Sequence, residues 1–276
     1  MKVIKVFPRR TKATPDDPET RIGCLPTFFD EADEVHISVA FTWDIPKAEK
    51  LAKQWEEVSR VRIGGPALGR PGGEFIPGVY LRPGYVITSR GCDNRCWFCS
   101  VWKREGSIRE LEIEDGWNIL DDNLLSCSEK HIVSVFGMLK RQNHQAEFTG
   151  GLEAKKLKAW HVSLLADLKP KQMFFAYDTP DDLEPLICAG KMLHEAGFSS
   201  TKSHAMRAYV LCGYPNDSYD YAETRMIQTI KAGFFPMAML YRDEGGKYDF
   251  EWRRWQRTWA RPQIVAAKVK EVACQV

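Results

Sequence analysis

The sequence predicts an α/β fold built on a parallel sheet, and three observations carry that expectation. From residue 85 onward, short β-branched and aromatic runs alternate with helical patterns. Gly, Pro, Asp and Asn clusters of turn type separate the runs. The chain is 276 residues long, enough for one large domain or for one such domain with a small partner. Repeated strand-then-helix order implies parallel strands joined by right-handed crossovers. About six such units fit either a partial barrel or an open doubly wound sheet, and periodicity alone does not separate the two. In both, functional groups belong just past the C-terminal ends of the strands.

The first stretch, to about Thr20, is charged and punctuated by proline and reads as loop. Residues 34–41 are rich in β-branched side chains and read as a strand. Residues 46–59 place Ala48, Leu51, Ala52, Trp55 and Val58 on one helical face, with Pro46 at the start. Residues 61–66 close a βαβ unit with a short strand and a tight turn. Residues 64–83 are dense in Gly and Pro and read as a linker. Strands are then expected at 85–89, 118–120, 146–149, 172–177, 205–212 and 234–240. Helices are expected at 128–141, 152–168, 181–196 and 217–232, two of them ending near Gly197 and Gly233.

Composition narrows the function classes. The chain is 44% hydrophobic and 28% charged, as globular domains are. A net charge of +2 excludes a global basic field of the nucleic-acid-binding kind. No apolar run reaches the length of a membrane span, and the first residues lack a signal-peptide apolar core. A cytoplasmic location is expected. There thiols stay reduced, so the eight cysteines point to ligands or buried thiols rather than disulfides.

The most informative segment is 84–99, GYVITSRGCDNRCWFC, which follows the first core strand. Cys92, Cys96 and Cys99 stand at C-x3-C-x2-C spacing, close enough for one loop to wrap three thiolates around a metal centre. A [4Fe-4S] cluster ordinarily takes four thiolates. Three leave one iron open to a small molecule, as a catalytic zinc keeps one position for substrate. Scattered core cysteines would rarely fall at this spacing. A structural zinc site would need a fourth ligand, and His131 and His144, the nearest downstream histidines, fall in or beside an expected helix. Cys24, Cys127, Cys188, Cys212 and Cys274 show no cluster spacing and read as buried thiols.

On these cysteines, and on Phe98 just before the last of them, the segment resembles the signature of the radical SAM superfamily. The region 85–240 is similar to that family's (β/α)6 partial TIM barrel, so the resemblance covers more than half the chain. It implies a small N-terminal extension over 1–83, a radical SAM core over 84–243 and a C-terminal helical cap over 244–276. It also implies a [4Fe-4S] cluster whose open iron chelates S-adenosylmethionine. Reductive cleavage would then yield a 5′-deoxyadenosyl radical that abstracts hydrogen from an unidentified substrate. An electron donor such as flavodoxin or ferredoxin is the implied partner.

The resemblance assigns further residues at the strand ends. Asp121, Asp122 and Asn123 follow the second strand, where the family places polar groups for the methionine ammonium. They resemble the variant of the branch that contains methylthiotransferases and cobalamin-type enzymes, and they could equally form a solvated turn. Gly150 and Gly151 follow the third strand and permit either close approach to a ligand or a tight turn. Glu153 faces the cofactor or opens the next helix. Asp178 follows the fourth strand and suits ribose hydroxyls or a helix cap. Gly213 resembles the adenine-contact turn after the fifth strand, and Tyr241, Arg242 and Asp243 end the sixth.

The flanks are less specific. The N-terminal unit resembles part of a flavodoxin-like cobalamin-binding domain, but it is shorter and lacks the D-x-H-x-x-G pattern whose His ligates cobalt. It reads as a scaffold. In the C-terminal segment Trp252, Trp255 and Trp259 share one helical face among Arg253, Arg254, Arg257 and Arg261. That face either caps the barrel or stacks on nucleic acid. The alternative to an enzyme is accordingly a non-catalytic metal-binding or nucleic-acid adaptor protein.

Overall fold

The computed structural model describes residues 1–199, 204–243 and 245–273. Its first unit is a four-stranded parallel sheet with strands β1 (Val3–Phe7), β2 (Thr20–Ile22), β3 (Glu34–Ser38) and β4 (Arg60–Gly64), in the order β2-β1-β3-β4. The expected loop before Thr20 is therefore corrected. Residues 3–7 form a central strand, because Ile4 and Val6 pack with Val35 and Ile37 under helix α1 (Ile45–Trp55). Lys5 points to the other face, where Asp17 takes its charge at 2.8 Å. Helix α1 buries the face expected of it, Ala48, Leu51, Ala52 and Trp55. The Trp55 indole is fully buried and donates to the carbonyl of Cys24 at 3.1 Å.

The second unit carries six parallel strands in chain order, the first of them β5 (Tyr85–Val86). Between them a small antiparallel ribbon pairs β6 (Ser89–Arg90) with β7 (Arg109–Glu110), and a short helix α2 (Val101–Glu105) lies inside the loop it closes. Strands β8 (Asn118–Ile119), β9 (Glu147–Phe148), β10 (Gln172–Ala176), β11 (Met206–Cys212) and β12 (Phe235–Leu240) continue the sheet. Helices α3 (Glu129–Lys140), α4 (Ala159–Leu168), α5 (Leu183–Glu195) and α6 (Tyr219–Lys231) alternate with them. The strand order never reverses, so this sheet is singly wound. The doubly wound alternative, which needs a reversal, does not apply here.

Sequence chemistry places the helices. Ser128 accepts from the N–H of His131 at the start of α3, and Ser218 accepts from that of Tyr221 at the start of α6, each at 3.2 Å. Such caps contribute about 1 kcal/mol each. The expected helix 152–168 is corrected to a later start at Ala159. Leu157 and Lys158 are extended, and His161 Nδ1 accepts the Lys158 N–H at 3.0 Å, so the helix begins beyond them.

Helix α7 (Phe250–Ala260) is capped by Asp249, which accepts from the N–H of Glu251 and of Trp252. Trp252 and Trp259 are buried in the main core, Trp255 packs against it, and helix α8 (Pro262–Ala273) adds Val265 and Val269. The tryptophan face is thus core-facing, as the capping alternative expects. No helix among the described residues is long and apolar enough to cross a membrane.

Candidate metal centre and cofactor site

The loop 91–108 is held at both ends by the β6–β7 ribbon, and it carries all three clustered cysteines. Gly91 opens it with φ +88, where a Cβ would lie 2.3 Å from the Ser107 carbonyl oxygen, so only glycine fits. Cys92 N–H donates to the Gly106 carbonyl and Cys99 N–H to the Cys96 carbonyl, each at 3.1 Å. Trp102 Nε1 also donates to the Cys96 carbonyl. The three thiols are free and partly exposed. Burial pushes the Cys96 thiol up to about 11, with the neighbouring Cys99 and Cys92 adding to the effect. Cys99 is raised by burial too, with Cys92 contributing. Buried thiols such as Cys96 and Cys99 are stable as thiolates around a cationic centre.

Among the described residues, no three Cys, His, Asp or Glu side chains converge on a single ion position. A cubane spreads its thiolates over separate irons and needs a wider triangle than one ion does. The histidines weighed for zinc are engaged elsewhere. His131 is buried in α3 with Nε2 3.2 Å from Thr88 Oγ1, and His144 stacks on Trp117 at 3.9 Å. Three thiols on one loop are the donor chemistry that an iron–sulfur cluster takes.

The expected acidic cluster behind the loop divides its work. Asp121 is buried and accepts from Thr88 N–H, Thr88 Oγ1 and Ser89 Oγ at 2.6–2.7 Å, tying the end of β8 to the end of β5. Asp122 accepts from Gly91 N–H at 2.9 Å and so positions the cysteine loop itself. Burial raises the carboxyls of both. Asn123 Nδ2 lies 3.4 Å from Cys92 Sγ and 2.6 Å from Glu153 Oε2, while its Oδ1 is buried without a partner. The ends of the second and third strands therefore meet at Cys92, and Asn123 and Glu153 form one polar pair beside it.

Other expected residues are placed as follows. A Cβ on Gly150 would lie 2.3 Å from the Asp121 carbonyl oxygen, so this glycine lets β9 approach the end of β8. Asp178 Oδ1 accepts from Leu211 N–H at 3.0 Å, and burial pushes its carboxyl up to about 7. Gly213 adopts φ +73 and packs on the Trp252 ring, where a Cβ would come within 2.8 Å. Its N–H donates to Asp217. Phe98 packs edge-on against Trp97 at 5.4 Å. Trp97 is 54% exposed and touches Tyr214 and Tyr241, each at 5.7 Å, so the loops after β11 and β12 meet the cysteine loop. Arg242 does not project freely from its strand end. Its guanidinium lies between Trp43 at 4.6 Å and Tyr248 at 4.3 Å, and it joins the N-terminal unit to the strand-end loops.

Sequence reasoning missed two groups. Glu105 is buried and accepts from Arg104 Nε, Arg109 Nη2 and Gly72 N–H, which anchors the linker to the cysteine loop. Arg225 and Asp217 form a fully buried bidentate pair at 2.8 Å under Tyr214. Of the remaining cysteines, Cys212 is buried and Cys127 partly so, which fits the expectation of inert thiols. Cys24 and Cys188 are exposed, a correction to it, and Cys274 lies outside the described residues.

Against known proteins, no family model matches the chain, and no curated protein matches it. Among solved structures it is similar to the radical S-adenosylmethionine methyltransferase TsrM from Kitasatospora setae, determined with cobalamin and a [4Fe-4S] cluster bound. The TM-score is 0.62 at 11% identity, over 87% of this chain and 75% of that one. The likeness is one of architecture: the chain has a radical-SAM-like fold.

Proposed function

We propose that the chain is a radical SAM enzyme in which Cys92, Cys96 and Cys99 hold a [4Fe-4S] cluster and the strand ends bind S-adenosylmethionine. The observation that supports it most is the cysteine loop, pinned by the ribbon and by Asp122, with the Asn123 amide on Cys92 Sγ. When bound, the cluster and S-adenosylmethionine supply a 5′-deoxyadenosyl radical for hydrogen abstraction. The chain's own residues bind and orient. Glu153 and the unpartnered Asn123 Oδ1 suit an ammonium group. Asp178 suits ribose hydroxyls, and the turn at Gly213 with Phe98 would flank the adenine. Trp97 with Tyr214 and Tyr241 covers the cysteine side of the mouth and limits water there. The six singly wound strands are the wall of a partial barrel over 84–243, with 1–83 and 244–276 as flanking units.

Cobalamin, which TsrM carries, is not part of this reading. His36 lines the cavity beside the N-terminal sheet, and both its ring nitrogens are engaged. Nδ1 is 2.6 Å from the Tyr80 hydroxyl and Nε2 is 3.0 Å from Glu34.

The test is anaerobic reconstitution followed by reduction with S-adenosylmethionine present. The reading expects release of 5′-deoxyadenosine, and loss of both iron and product in the variant Cys92→Ala/Cys96→Ala/Cys99→Ala. Full iron loading of that variant, or no nucleoside from the unsubstituted chain, contradicts it.

A further inference from the structure

The loop between β2 and β3 carries a tight turn over 27–30, closed by the bond from Asp30 N–H to the Thr27 carbonyl at 3.0 Å. Turns favour Gly, Pro, Asn, Asp or Ser. Here the two central residues are Phe28 and Phe29, 96% and 87% exposed, with Leu25 56% exposed just before them. The rings meet edge-on at 5.8 Å. At about 150–250 Å2 for an aromatic side chain, the pair presents roughly 300–500 Å2 of apolar surface. Patches of that size on a soluble chain are often functional.

The turn is held rigidly. Asp30 is buried and accepts from Thr27 N–H, Thr27 Oγ1, Arg21 Nε and Arg21 Nη2 at 2.7–2.9 Å. Both flanks are tied to the amino end of the N-terminal sheet. Before the turn, the Cys24 carbonyl takes the Trp55 indole at the end of α1. After it, the Asp33 carboxylate accepts from Lys2 N–H beside β1, and the Asp33 carbonyl accepts from Ser59 Oγ beside β4, each at 2.6 Å. The rings are thus presented at the opposite end of this sheet from its carboxyl ends, and neither packs on an apolar core of the described residues. A preformed aromatic tip loses little freedom when a partner covers it.

Charge selects the partner. Phe28 lines a shallow cleft of about 690 Å3 with Pro26, Ala32, Val58, Glu31 and Glu57. Asp30, also in its wall, is taken by Arg21, while Glu31 and Glu57 are exposed and have no ion-pair partner among the described residues. No basic side chain lines the cleft among those residues. A second copy related by a two-fold axis would present the same patch to itself and bring these carboxylates together. A basic partner meets them with opposite charge.

We propose that the Phe28–Phe29 turn docks a separate protein through an extended basic segment. Apolar side chains of that segment cover the two rings, and an Arg or Lys enters the cleft, its cation against the Phe28 face and the Glu31 and Glu57 carboxylates.

The test is isothermal titration calorimetry of the full chain with an octapeptide of alternating leucine and arginine, and with its leucine–glutamate counterpart. The proposal expects one arginine peptide per chain, bound at least roughly tenfold more tightly than the glutamate peptide. Phe28→Ser/Phe29→Ser should weaken that binding roughly tenfold or more with an unchanged unfolding midpoint, because both rings are exposed. Glu31→Gln/Glu57→Gln should remove most of the preference between the two peptides. Equal affinity for both peptides, or undiminished binding of the arginine peptide in Phe28→Ser/Phe29→Ser, overturns the proposal. So does sedimentation velocity showing a dimer of the unsubstituted chain that dissociates in Phe28→Ser/Phe29→Ser, since the turn would then belong to a second copy.

Discussion

Replacing Asp217 with alanine removes the one carboxylate hydrogen-bonded to a buried guanidinium among the described residues. Arg225 is fully buried, and its Nη2 makes both bonds to the Asp217 carboxylate at 2.8 Å. What remains is Nη1 to the Leu211 carbonyl, the faces of Tyr214 and Tyr221 at 5.1 and 4.7 Å, and an Nε already without a partner. Breaking a buried ion pair from one side costs about 3–5 kcal/mol, because the surviving charge stays desolvated. At roughly 2–4 °C per kcal/mol for a chain of this size, the melting temperature falls by roughly 6–20 °C. The variant also loses the bond from Gly213 N–H, so the loop that carries Tyr214 onto Trp97 loosens beside the cysteines. The assay is urea and thermal unfolding of the apoprotein, with the double variant Asp217→Leu/Arg225→Met closing the cycle. The double variant should recover most of the loss, since two apolar groups of similar volume leave no unpaired charge buried. A single-variant cost below about 1 kcal/mol, the level of an exposed pair, refutes the reasoning, as does a double variant no better than the single one.

Three further outcomes follow from the same geometry. Burial works against the Glu105 charge, but Arg104, the Gly72 N–H and Arg109 outweigh it and hold the carboxyl below its ordinary 4.5. A depressed folded value means the contribution is present above 4.5 and lost as pH falls through the folded value. Glu105→Gln should therefore lower stability at pH 7 and flatten the acid limb of the pH–stability curve, and an unchanged acid limb counts against the assignment. Gly213→Ala places a side chain at φ +73 against the Trp252 ring, and chemical denaturation should show a loss larger than the roughly 1 kcal/mol that left-handed backbone strain alone costs. Asn123→Ala deletes the donor to Cys92 Sγ, so the reconstituted cluster should become harder to reduce; potentiometry showing an equal or higher potential argues against that contact.

Much of the six-stranded unit was legible in the sequence, because its strands are short apolar runs bounded by turn residues and its helices begin at Ser128 and Ser218. The cysteine loop was legible through spacing alone. The strand Val3–Phe7 was not, since Lys5 breaks its apolar run and only the fold supplies Asp17 to satisfy that charge. Glu105 and Arg225 look like ordinary surface charges in the sequence. Their burial depends on partners brought in by tertiary packing: Gly72 lies 33 positions before Glu105, and the Leu211 carbonyl reaches Arg225 from 14 positions away. Asp122 and Asn123 were placed correctly at a strand end, yet their contacts to Gly91 N–H and Cys92 Sγ join segments 31 residues apart that periodicity cannot relate.

Electron paramagnetic resonance of the reduced, anaerobically reconstituted protein, recorded before and after addition of S-adenosylmethionine, addresses the coordination of the fourth iron directly. Ligation by Cys92, Cys96 and Cys99 alone predicts a [4Fe-4S] signal that changes shape on that addition. A signal indifferent to the sulfonium compound, or one already bearing a fourth protein ligand, contradicts the account.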